Sequence, residues 1–544
     1  MKTTPFPLAV LAVLSLCATC AAAARNLFWQ YSPGLADFAH VDNWLEDDTT
    51  PIAFSPVYPD TVRFLHKANT SEQSEYFVQL HADVVVSNFE YRVESDSGIL
   101  DFDLDGHCLE VSNSFQIVTR CYASNSDLRF HNGTIRQIGD HRGKLVWGWP
   151  TEDSDGFYIN RSGWQNAGAN VVFDNVDIEI GSGMRPYMAW FSLQGRNHHL
   201  TFENGSSLSC TNLQFDASPV DGSVRITFTG EGTRLSVYNG NVSVSGLGVV
   251  VAKLDDDSEL LFTDGAELEA ALITCRGSGR TVFNGGSHSL HGVNNWGDVF
   301  SLLCSGSHTL LLTNGASVAA GLCAANRGVS INNGSFLRIC DGSLLTTPRE
   351  GGNTAFHVGY LATGATTGDS VIEIDNGSLI YPWIRFGSQA ANSNNTLRIK
   401  GPTSLFKQTQ GTEWGQQRPM AFNYGTTIEF ELPVEGYHDG TGAARAPVYA
   451  VGCIDGTDGS AAPPALKLST REFDKANIKT SVTLMEASTA STANGYDTAA
   501  FFGRLIDNVT WVDNPNWHGT LSIVDSRKLV YTSASIPGTI LFVR

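Results

Sequence analysis

The chain has 544 residues and a formal net charge of −20, with 35 Lys and Arg against 55 Asp and Glu. This acidity argues against a nucleic-acid ligand and against binding to an anionic membrane surface, because both need a basic face. Hydrophobic residues make up 42% and charged residues only 17%, which excludes a disordered acidic chain. The length accommodates several ordinary domains or one long repeat array.

Residues 1–24 have the pattern of a secretory signal peptide. Lys2 gives the positive start, residues 8–18 form a mostly apolar run, and the alanines at 22–24 supply the small residues of a cleavage site. The apolar run is too short to span a membrane comfortably. We therefore expect cleavage near Arg25, a mature chain that is secreted or held at the cell surface, and no membrane insertion of that mature form.

Eight of the 10 cysteines lie beyond the leader, and an even number permits disulfides in an exported chain. Cys108 and Cys121 are close enough in sequence to close a local loop. Cys304, Cys323 and Cys340 have spacings that suit neighbouring turns of a repeat. The alternative is a set of unpaired thiols stacked in a core. The sequence leaves both interpretations open.

Residues 99–111 alternate apolar and acidic side chains at the start of the regular part of the chain. Asp101, Asp103 and Asp105 match the first half of a calcium-binding loop, but Ser112 stands where such a loop needs its final Glu. Apolar residues between the acids fit strand periodicity instead. We therefore predict a strand with outward Asp side chains, followed by a Gly turn.

A short unit recurs over the next 250 residues or so: an alternating strand, an Asn-Gly or Asp-Gly pair, a small residue and another strand. Asn-Gly and Asp-Gly tolerate positive φ and mark tight turns, whereas helix signals are scarce. Steps cluster near 20 residues, and we count the 43-residue step between the last two pairs as two units. A solenoid of stacked coils is predicted, and the aligned Asn side chains are expected to form a hydrogen-bonded ladder. The pairs begin at Asn132, Asn204, Asn239, Asp264, Asn284, Asn314, Asn333 and Asn376, with Asn175 as a degenerate copy.

The repeated units of residues 130–400 resemble the secreted right-handed parallel β-helix proteins of the pectin-lyase-like superfamily and the passenger regions of bacterial autotransporters. Asn43 and Trp44, followed by Pro51 and by the DTVRF sequence at 60–64, resemble the N-terminal start of large exported bacterial β-helix proteins. The resemblance covers about two thirds of the chain and implies an all-β, right-handed parallel β-helix, a fold that hosts many functions.

Four segments are predicted along the chain. They are the signal peptide 1–24, an N-terminal cap segment 25–98, the parallel β-helix 99–430 and a C-terminal β domain or cap 431–544. The last segment differs from the repeats in its Pro-rich and Asp-Gly-rich stretch and in a predicted hairpin. It lacks the series of ten-residue alternating strands that a translocating outer-membrane barrel needs.

Aromatic residues crowd into one irregular part of the repeat. Exposed aromatic faces stack on the apolar faces of sugar rings, while nearby acidic groups bind hydroxyls, so this cluster is our candidate glycan-binding site. The alternative is a loop that packs its own aromatic residues onto the coil. The candidates, all within 44 residues, are Trp147, Trp149, Tyr158, Trp164, Tyr187 and Trp190.

The same irregular part supplies the weak candidates for a metal site. Glu152, Asp153 and Asp155 precede Gly156, and the two Asp residues are the proposed ligands of a calcium ion held together with backbone carbonyls. The alternative is a solvated turn. We predict no other cofactor.

Patterns that specify an enzyme are missing from the sequence. There is no Gly-x-Ser-x-Gly elbow, phosphate-binding Gly-Lys-Ser/Thr loop or His-Glu-x-x-His motif. Arg398 and Lys400 echo a basic motif of polygalacturonases, but the acidic run at 255–257 is far away in sequence and the rest of that pattern is absent. We expect a secreted or surface-associated protein that binds a polysaccharide or cell-surface glycan, or that serves as a structural or self-associating module. The alternative is a polysaccharide lyase or glycoside hydrolase acting on an extracellular polysaccharide.

Overall fold

A computed structural model describes most of residues 24–534. For the strands Lys144–Trp147, Trp149–Pro150, Phe157–Tyr158 and Met188–Gln194 it describes the backbone alone. The described residues are 24–30, 35–47, 49–66, 74–93, 98–119, 126–137, 144–147, 149–150, 157–158, 169–180, 188–194, 198–210, 212–218, 223–237, 249–292, 300–321, 328–347, 354–359, 368–387, 394–413, 416–423, 425–456, 463–492, 494–513 and 518–534.

The chain winds into a parallel β-helix with three faces, named A, B and C, and each regular coil contributes one strand to each face in the order B, C, A. Face A contains Asn26–Trp29, Thr61–His66, the second parts of Val84–Val93 and Cys108–Thr119, Lys144–Trp147, Met188–Gln194, Asn212–Ser218, Val249–Leu254, Leu272–Arg276, Leu302–Cys304, Gly328–Ile331, Ala355–Val358, Trp383–Phe386, Met420–Phe422 and Ile454–Asp455.

Face B follows face A in the chain. It contains Leu35–Asp37, Ser74–Gln79, Gly98–Asp103, the first parts of Ser126–Gln137 and Ala169–Ile180, His198–Glu203, Val224–Thr229, Glu259–Thr263, Arg280–Asn284, Thr309–Thr313, Phe336–Cys340, Val371–Asp375, Thr396–Lys400, Thr427–Glu431, Ala465–Ser469 and Val509–Trp511.

Face C takes the remaining parts of the four long strands that bend between faces. Its other strands are Ser207–Ser209, Arg234–Val237, Glu267–Ala270, Ser287–Leu290, Ser317–Ala320, Leu344–Thr346, Ser378–Tyr381, Leu405–Gln408, Val448–Ala450 and Ser481–Ala487, followed by the antiparallel pair Lys528–Thr532 and Thr520–Val524.

Few described elements lie outside these three faces. Trp44–Glu46 pairs antiparallel with Asn26–Trp29, Thr50–Pro51 pairs antiparallel with Trp44–Glu46, and Val41–Asn43 is a 3-10 turn. Two short hairpins pair Trp149–Pro150 with Phe157–Tyr158 and Thr412–Glu413 with Gln416–Gln417. The α-helices are α1, Arg471–Ala476, and α2, Thr498–Asp507. The prediction of an all-β parallel β-helix is confirmed.

Alternating burial explains why these segments form strands. Val224–Thr229, for example, alternates buried and exposed residues, so every second side chain enters the interior. Backbone hydrogen bonds join each strand to the strands of the coils before and after it. At a spacing of about 4.8 Å per strand, the sixteen strands of face B span roughly 70 Å.

The predicted turns lie mainly at the corner where face B passes to face C. Asn132, Asn175, Asn204, Asp264, Asn314 and Asn376 all have positive φ there, and so do Asp105 and Asp341. The strand and turn predicted at Asp101 to Asp105 are therefore confirmed. Asn239 lies outside the described residues.

Among the described repeated pairs, Asn333-Gly334 occupies a different corner from the rest. Asn333 follows the face A strand Gly328–Ile331 and precedes the face B strand Phe336–Cys340, whereas Asn376 lies between faces B and C. The 43-residue step between them therefore joins two different corners, and counting it as two units of about 20 residues was wrong. Both corners use Asn-Gly because both need a residue that tolerates positive φ.

The predicted Asn ladder forms only in part. The Asn175 side-chain amide donates to Asn132 Oδ1 at 3.3 Å, which is one rung of such a ladder. At the next coil Asn204 donates instead to Asp174 Oδ1 at 2.7 Å. Further along, Thr229 donates to Asp264 at 2.9 Å. The corner is thus a mixed column of amides, carboxylates and hydroxyls.

A stack of phenylalanines fills the interior behind face B. Successive rings lie 4.5–5.8 Å apart between centroids and have small interplanar angles, an arrangement that adds to the stabilisation from burial. Aliphatic residues such as Leu312 and Ile339 continue the same column. The stacked residues, all fully buried, are Phe102, Phe130, Phe173, Phe202, Phe228, Phe262 and Phe283.

The six described cysteines have free thiols. Cys275 and Cys304 pair in register on neighbouring strands of face A and are fully buried, which agrees with the interpretation of stacked core thiols. Burial raises the pKa of the Cys275 thiol to about 12. Cys121 and Cys323, needed for the predicted loops, lie outside the described residues.

Replacing Phe228 tests the phenylalanine stack. Phe228→Ala removes a ring that lies 4.5 Å from Phe202 and 5.1 Å from Phe262, so we expect a loss of about 3–5 kcal/mol in the free energy of unfolding. The neighbouring outward substitution Thr227→Ala should stay within about 0.5 kcal/mol of the parent. Urea unfolding followed by circular dichroism measures both, and equal effects would show that the stack adds nothing.

Candidate functional site

The aromatic candidates whose backbone is described come together at one level of the β-helix. Trp147 ends a face A strand, and Trp190 lies on the next strand of that face. Trp149 pairs with Tyr158 in the short hairpin. The hairpin strand Phe157–Tyr158 lies beside both face A strands. Trp164 and Tyr187 lie outside the described residues.

Strand register distinguishes two of these positions. Trp147 aligns with Ile117, whose side chain is buried in the core. Trp190 aligns with Gln214, which is half-buried on the outer side of face A. The two tryptophans thus occupy different columns of the strand register, one aligned with a buried residue and one with a half-buried residue, so they are not equivalent positions of face A.

The hairpin belongs to the connection from face A to face B. It follows Lys144–Trp147 and precedes Ala169–Ile180, and this connection has 21 residues, whereas the next coil crosses the same corner with three, between Gln194 and His198. The same coils carry a polar network on face B. The aromatic hairpin and that network therefore share one level of the solenoid.

The polar network occupies four successive strands of face B. His131 Nε2 lies 2.6 Å from Asp101 Oδ1, and its Nδ1 lies 3.5 Å from Asp103. Arg129 forms an ion pair with Asp174 and lies 3.4 Å from Glu203 Oε1. Strand register brings these residues together. His131 aligns with Asp103 on the preceding strand and with Asp174 on the following strand. Asp174 in turn aligns with Glu203.

Protonation states in the network follow from these contacts. The hydrogen bond from His131 to Asp101 outweighs partial burial and raises the pKa of the imidazole. Burial works to raise the pKa of Asp174, but hydrogen bonds from Arg129 and Asn204 outweigh it and hold that pKa below its usual range. Asp174 is therefore ionised at neutral pH and unsuited to donate a proton.

The basic motif at Arg398 and Lys400 belongs to a second ion-pair column further along face B. Glu373, only 4% exposed, lies 3.1 Å from Arg398 and 3.2 Å from Lys400. Arg398 also lies 2.7 Å from Glu429, so charges of opposite sign alternate along the column. The acidic turn at 255–257 is five strands away, about 24 Å, and forms no common site with the motif.

The described residues contain no candidate group of metal ligands and no candidate membrane-spanning helix. Within them, no group of three or more His, Cys, Asp or Glu side chains is arranged to hold a metal ion. The calcium candidates Asp153 and Asp155 lie outside the described residues. In the part of the chain that the structure describes, no helix is long and apolar enough to cross a membrane.

Comparison with protein-family models, with curated proteins and with solved structures finds no match to this chain. The fold and the local geometry therefore carry the functional argument.

Sequence reasoning missed the polar network because its members are far apart in the chain. His131 and Asp174 are separated by 43 residues, yet the coil length brings them onto adjacent strands. The signal was present in the repeat itself, since both residues directly precede the turn Asn of their coils. Aligning the units on that Asn would have stacked His131, Asp174 and Glu203 in one column, whereas Asp103 stands two residues before its turn residue Asp105 and would have been missed.

The His131–Asp101 contact predicts a specific pH dependence. A raised imidazole pKa in the folded state stabilises the protein fully below the unfolded value, about 6.5, and this contribution is lost as pH rises through the folded pKa. We therefore expect His131→Gln to lower the melting temperature at pH 5.5 and to change it little at pH 9.

Asp101→Asn should reproduce the low-pH effect, and the double variant should add little to either single change, because both remove the same contact. Thermal unfolding of the four proteins at the two pH values decides this. A loss of equal size at both pH values would contradict the assigned protonation.

Proposed function

We propose that this protein is an exported, non-catalytic β-helix that binds a neutral polysaccharide at the level of Trp147 to Trp190, and that it is a distant right-handed member of the pectin-lyase-like superfamily. The observation that carries the proposal is that the aromatic strands and hairpin lie on the same coils as the face B polar network. Aromatic rings stack on sugar rings, and charged groups orient the hydroxyls.

A neutral ligand fits the charge of this region. Among the described residues, Arg129 and His131 are the basic partners of four carboxylates, those of Asp101, Asp103, Asp174 and Glu203. The whole chain is also acidic, at −20. An acidic polysaccharide would meet like charge there, whereas a neutral polymer would meet hydrogen-bond acceptors.

Binding is favoured over catalysis by the state of the carboxylates. Hydrolysis of a glycosidic bond needs one carboxyl that keeps its proton and a second that is ionised. Asp174 has a lowered pKa, and Arg129 contacts both Asp174 and Glu203. Asp174, which the Arg129 guanidinium holds ionised, accepts hydrogen bonds from hydroxyls and does not supply the acid.

A glycoside hydrolase remains the second candidate because of one geometric fact. Asp174 and Glu203 are directly opposed on adjacent strands, which are about 5 Å apart, close to the carboxyl separation of about 5–5.5 Å in retaining glycosidases. In that case Arg129 would leave Asp174 when the substrate binds.

Affinity electrophoresis tests the proposal directly. Chains from Arg25 to Arg544 run in gels cast with neutral or acidic polysaccharides should be retarded by at least one neutral polymer and by none of the acidic ones. Trp190→Ala and the double change Trp149→Ala with Tyr158→Ala should each weaken retardation about tenfold, because loss of one stacked aromatic ring costs about 1–2 kcal/mol.

Two controls make the result specific. Trp511→Ala changes a tryptophan at the far end of face B and should leave retardation unchanged, and circular dichroism checks the fold of every variant. Shortened polysaccharide chains that disappear with Glu203→Gln would favour the hydrolase. Retardation that survives both aromatic variants with intact folds would refute the proposed site.

A further inference from the structure

The first residues of the β-helix surround one buried carboxylate. Asp60 is 1% exposed and directly precedes the face A strand Thr61–His66. Its backbone is fixed from two sides, since its carbonyl accepts from Ser87 at 2.8 Å and its amide donates to Val57 at 2.7 Å. The turn amide of Val57 donates to Asp60 Oδ2 at 3.0 Å. A carboxylate this deeply buried is tolerated only with close partners.

Arg25 supplies most of those partners, and it does so with its backbone as well as its side chain. The guanidinium donates to Asp60 Oδ2 at 2.5 Å through Nη2 and to Oδ1 at 3.1 Å through Nε. The main-chain nitrogen of Arg25 points at the same carboxylate and lies 3.2 Å from Oδ1. The carbonyl of Arg25 accepts from Thr61 at 2.8 Å, so this nitrogen is held in place.

The charges around Arg25 leave room for a second positive group. Asp60 and Glu46 both act on the Arg25 guanidinium and raise its pKa. With an ordinary peptide nitrogen at Arg25, two negative charges face one positive charge. An ammonium group at the same nitrogen would balance them and would turn a neutral hydrogen bond into a charge-assisted one.

The sequence places a cleavage signal at this very bond. The small residues at 22–24 end where Arg25 begins, and Ala24 is exposed. We propose that Asp60 is a receptor for the mature N-terminus: cleavage between Ala24 and Arg25 releases an α-ammonium that binds the buried Asp60 carboxylate and locks the first strand of the β-helix. This inference rests on the export assumed in the proposed function and is independent of glycan binding.

The step is a peptide-bond hydrolysis. Water adds across the Ala24–Arg25 bond, the carboxylate leaves with the signal peptide, and the new amine of Arg25 takes up a proton. Because that nitrogen already lies within hydrogen-bond distance of Asp60, no rearrangement of the first strand is needed. After cleavage, the new ammonium group therefore contacts Asp60 from the position that the peptide nitrogen held before.

Three versions of the exported chain test the receptor. The first begins with a free amine at Arg25, the second begins with acetylated Arg25, and the third begins at Ala24, which moves the amine outward by one residue, about 3.8 Å. We expect amide hydrogen exchange of Leu27 and Val62 to be about tenfold slower in the first chain than in the other two, as a charge-assisted bond to a buried group implies.

Substitutions identify the partner. Asp60→Asn should abolish the difference between the free and acetylated chains, whereas Asp42→Asn, which changes a carboxylate 84% exposed in the same segment, should leave it unchanged. If Asp60→Asn does not fold, the comparison of amide hydrogen exchange between the free and acetylated parent chains still tests the proposal. Equal exchange rates in those two chains would refute the proposal that Asp60 binds the mature N-terminus, and they would not bear on whether the protein is exported.

Expression with the leader in an exporting host supplies the second readout. Intact mass and N-terminal sequencing should find Arg25 as the first residue of the exported chain. A start at any other residue would overturn the inference alone. A chain that keeps its leader and stays inside the cell would contradict both this inference and the export in the proposed function.

Discussion

Lateral register between coils is the constraint on which the rest of this structure depends. Every strand residue meets the equivalent residue of the coil above and below at about 4.8 Å, so each inward position becomes a continuous column. A column is stable when neighbouring side chains in it are of similar shape and pack against each other. Phe202 and Phe228 show the closest such packing in the phenylalanine stack, with ring centroids 4.5 Å apart and nearly parallel planes. The same rule puts small hydroxyl residues at the inner corner after face B. There Ser206 donates to the carbonyls of Phe173 and Glu203, and Ser404 donates to that of Ile374.

Register imposes a different solution on the outer surface. Charges of one sign repeated along a column would repel at the spacing of adjacent strands. One column of face B avoids this by alternation. Its residues follow one another in register with opposite signs: Arg338, Glu373, Arg398, Glu429 and Lys467. Because these pairs hold neighbouring coils together, basic and acidic residues on the solenoid surface are not by themselves signs of catalysis.

Much of the architecture could be predicted from the chain because turn chemistry is local. Asn204 and Asp264, each followed by Gly, indicate a tight turn wherever they stand, and the structure places them at one corner with positive φ. Which corner a turn occupies depends on the length of the preceding coil, so Asn333 could not be distinguished from Asn376 by its own sequence. The phenylalanine stack was readable in principle, since Phe173 and Phe202 each stand two residues before the turn Asn.

The candidate site was only partly predictable, and the reason is again register. Trp147 and Trp190 drew attention as aromatic residues, but their alignment with Ile117 and Gln214 requires knowing how many residues each coil uses. Coil length varies most in the connection from face A to face B, which takes 21 residues after Trp147 and three after Gln194.

This difference in coil length is also a reason to propose the binding site in that connection. A residue in a strand column is constrained by two neighbours, and a change there disturbs three coils at once. A residue in a long connection carries no such constraint, so side chains suited to a ligand accumulate where the coil is interrupted. The polar network on the adjoining strands then acts as a fixed support, because Arg129 and His131 tie four consecutive strands of face B together. The proposed binding site therefore joins an irregular connection to coils whose register is fixed on both sides.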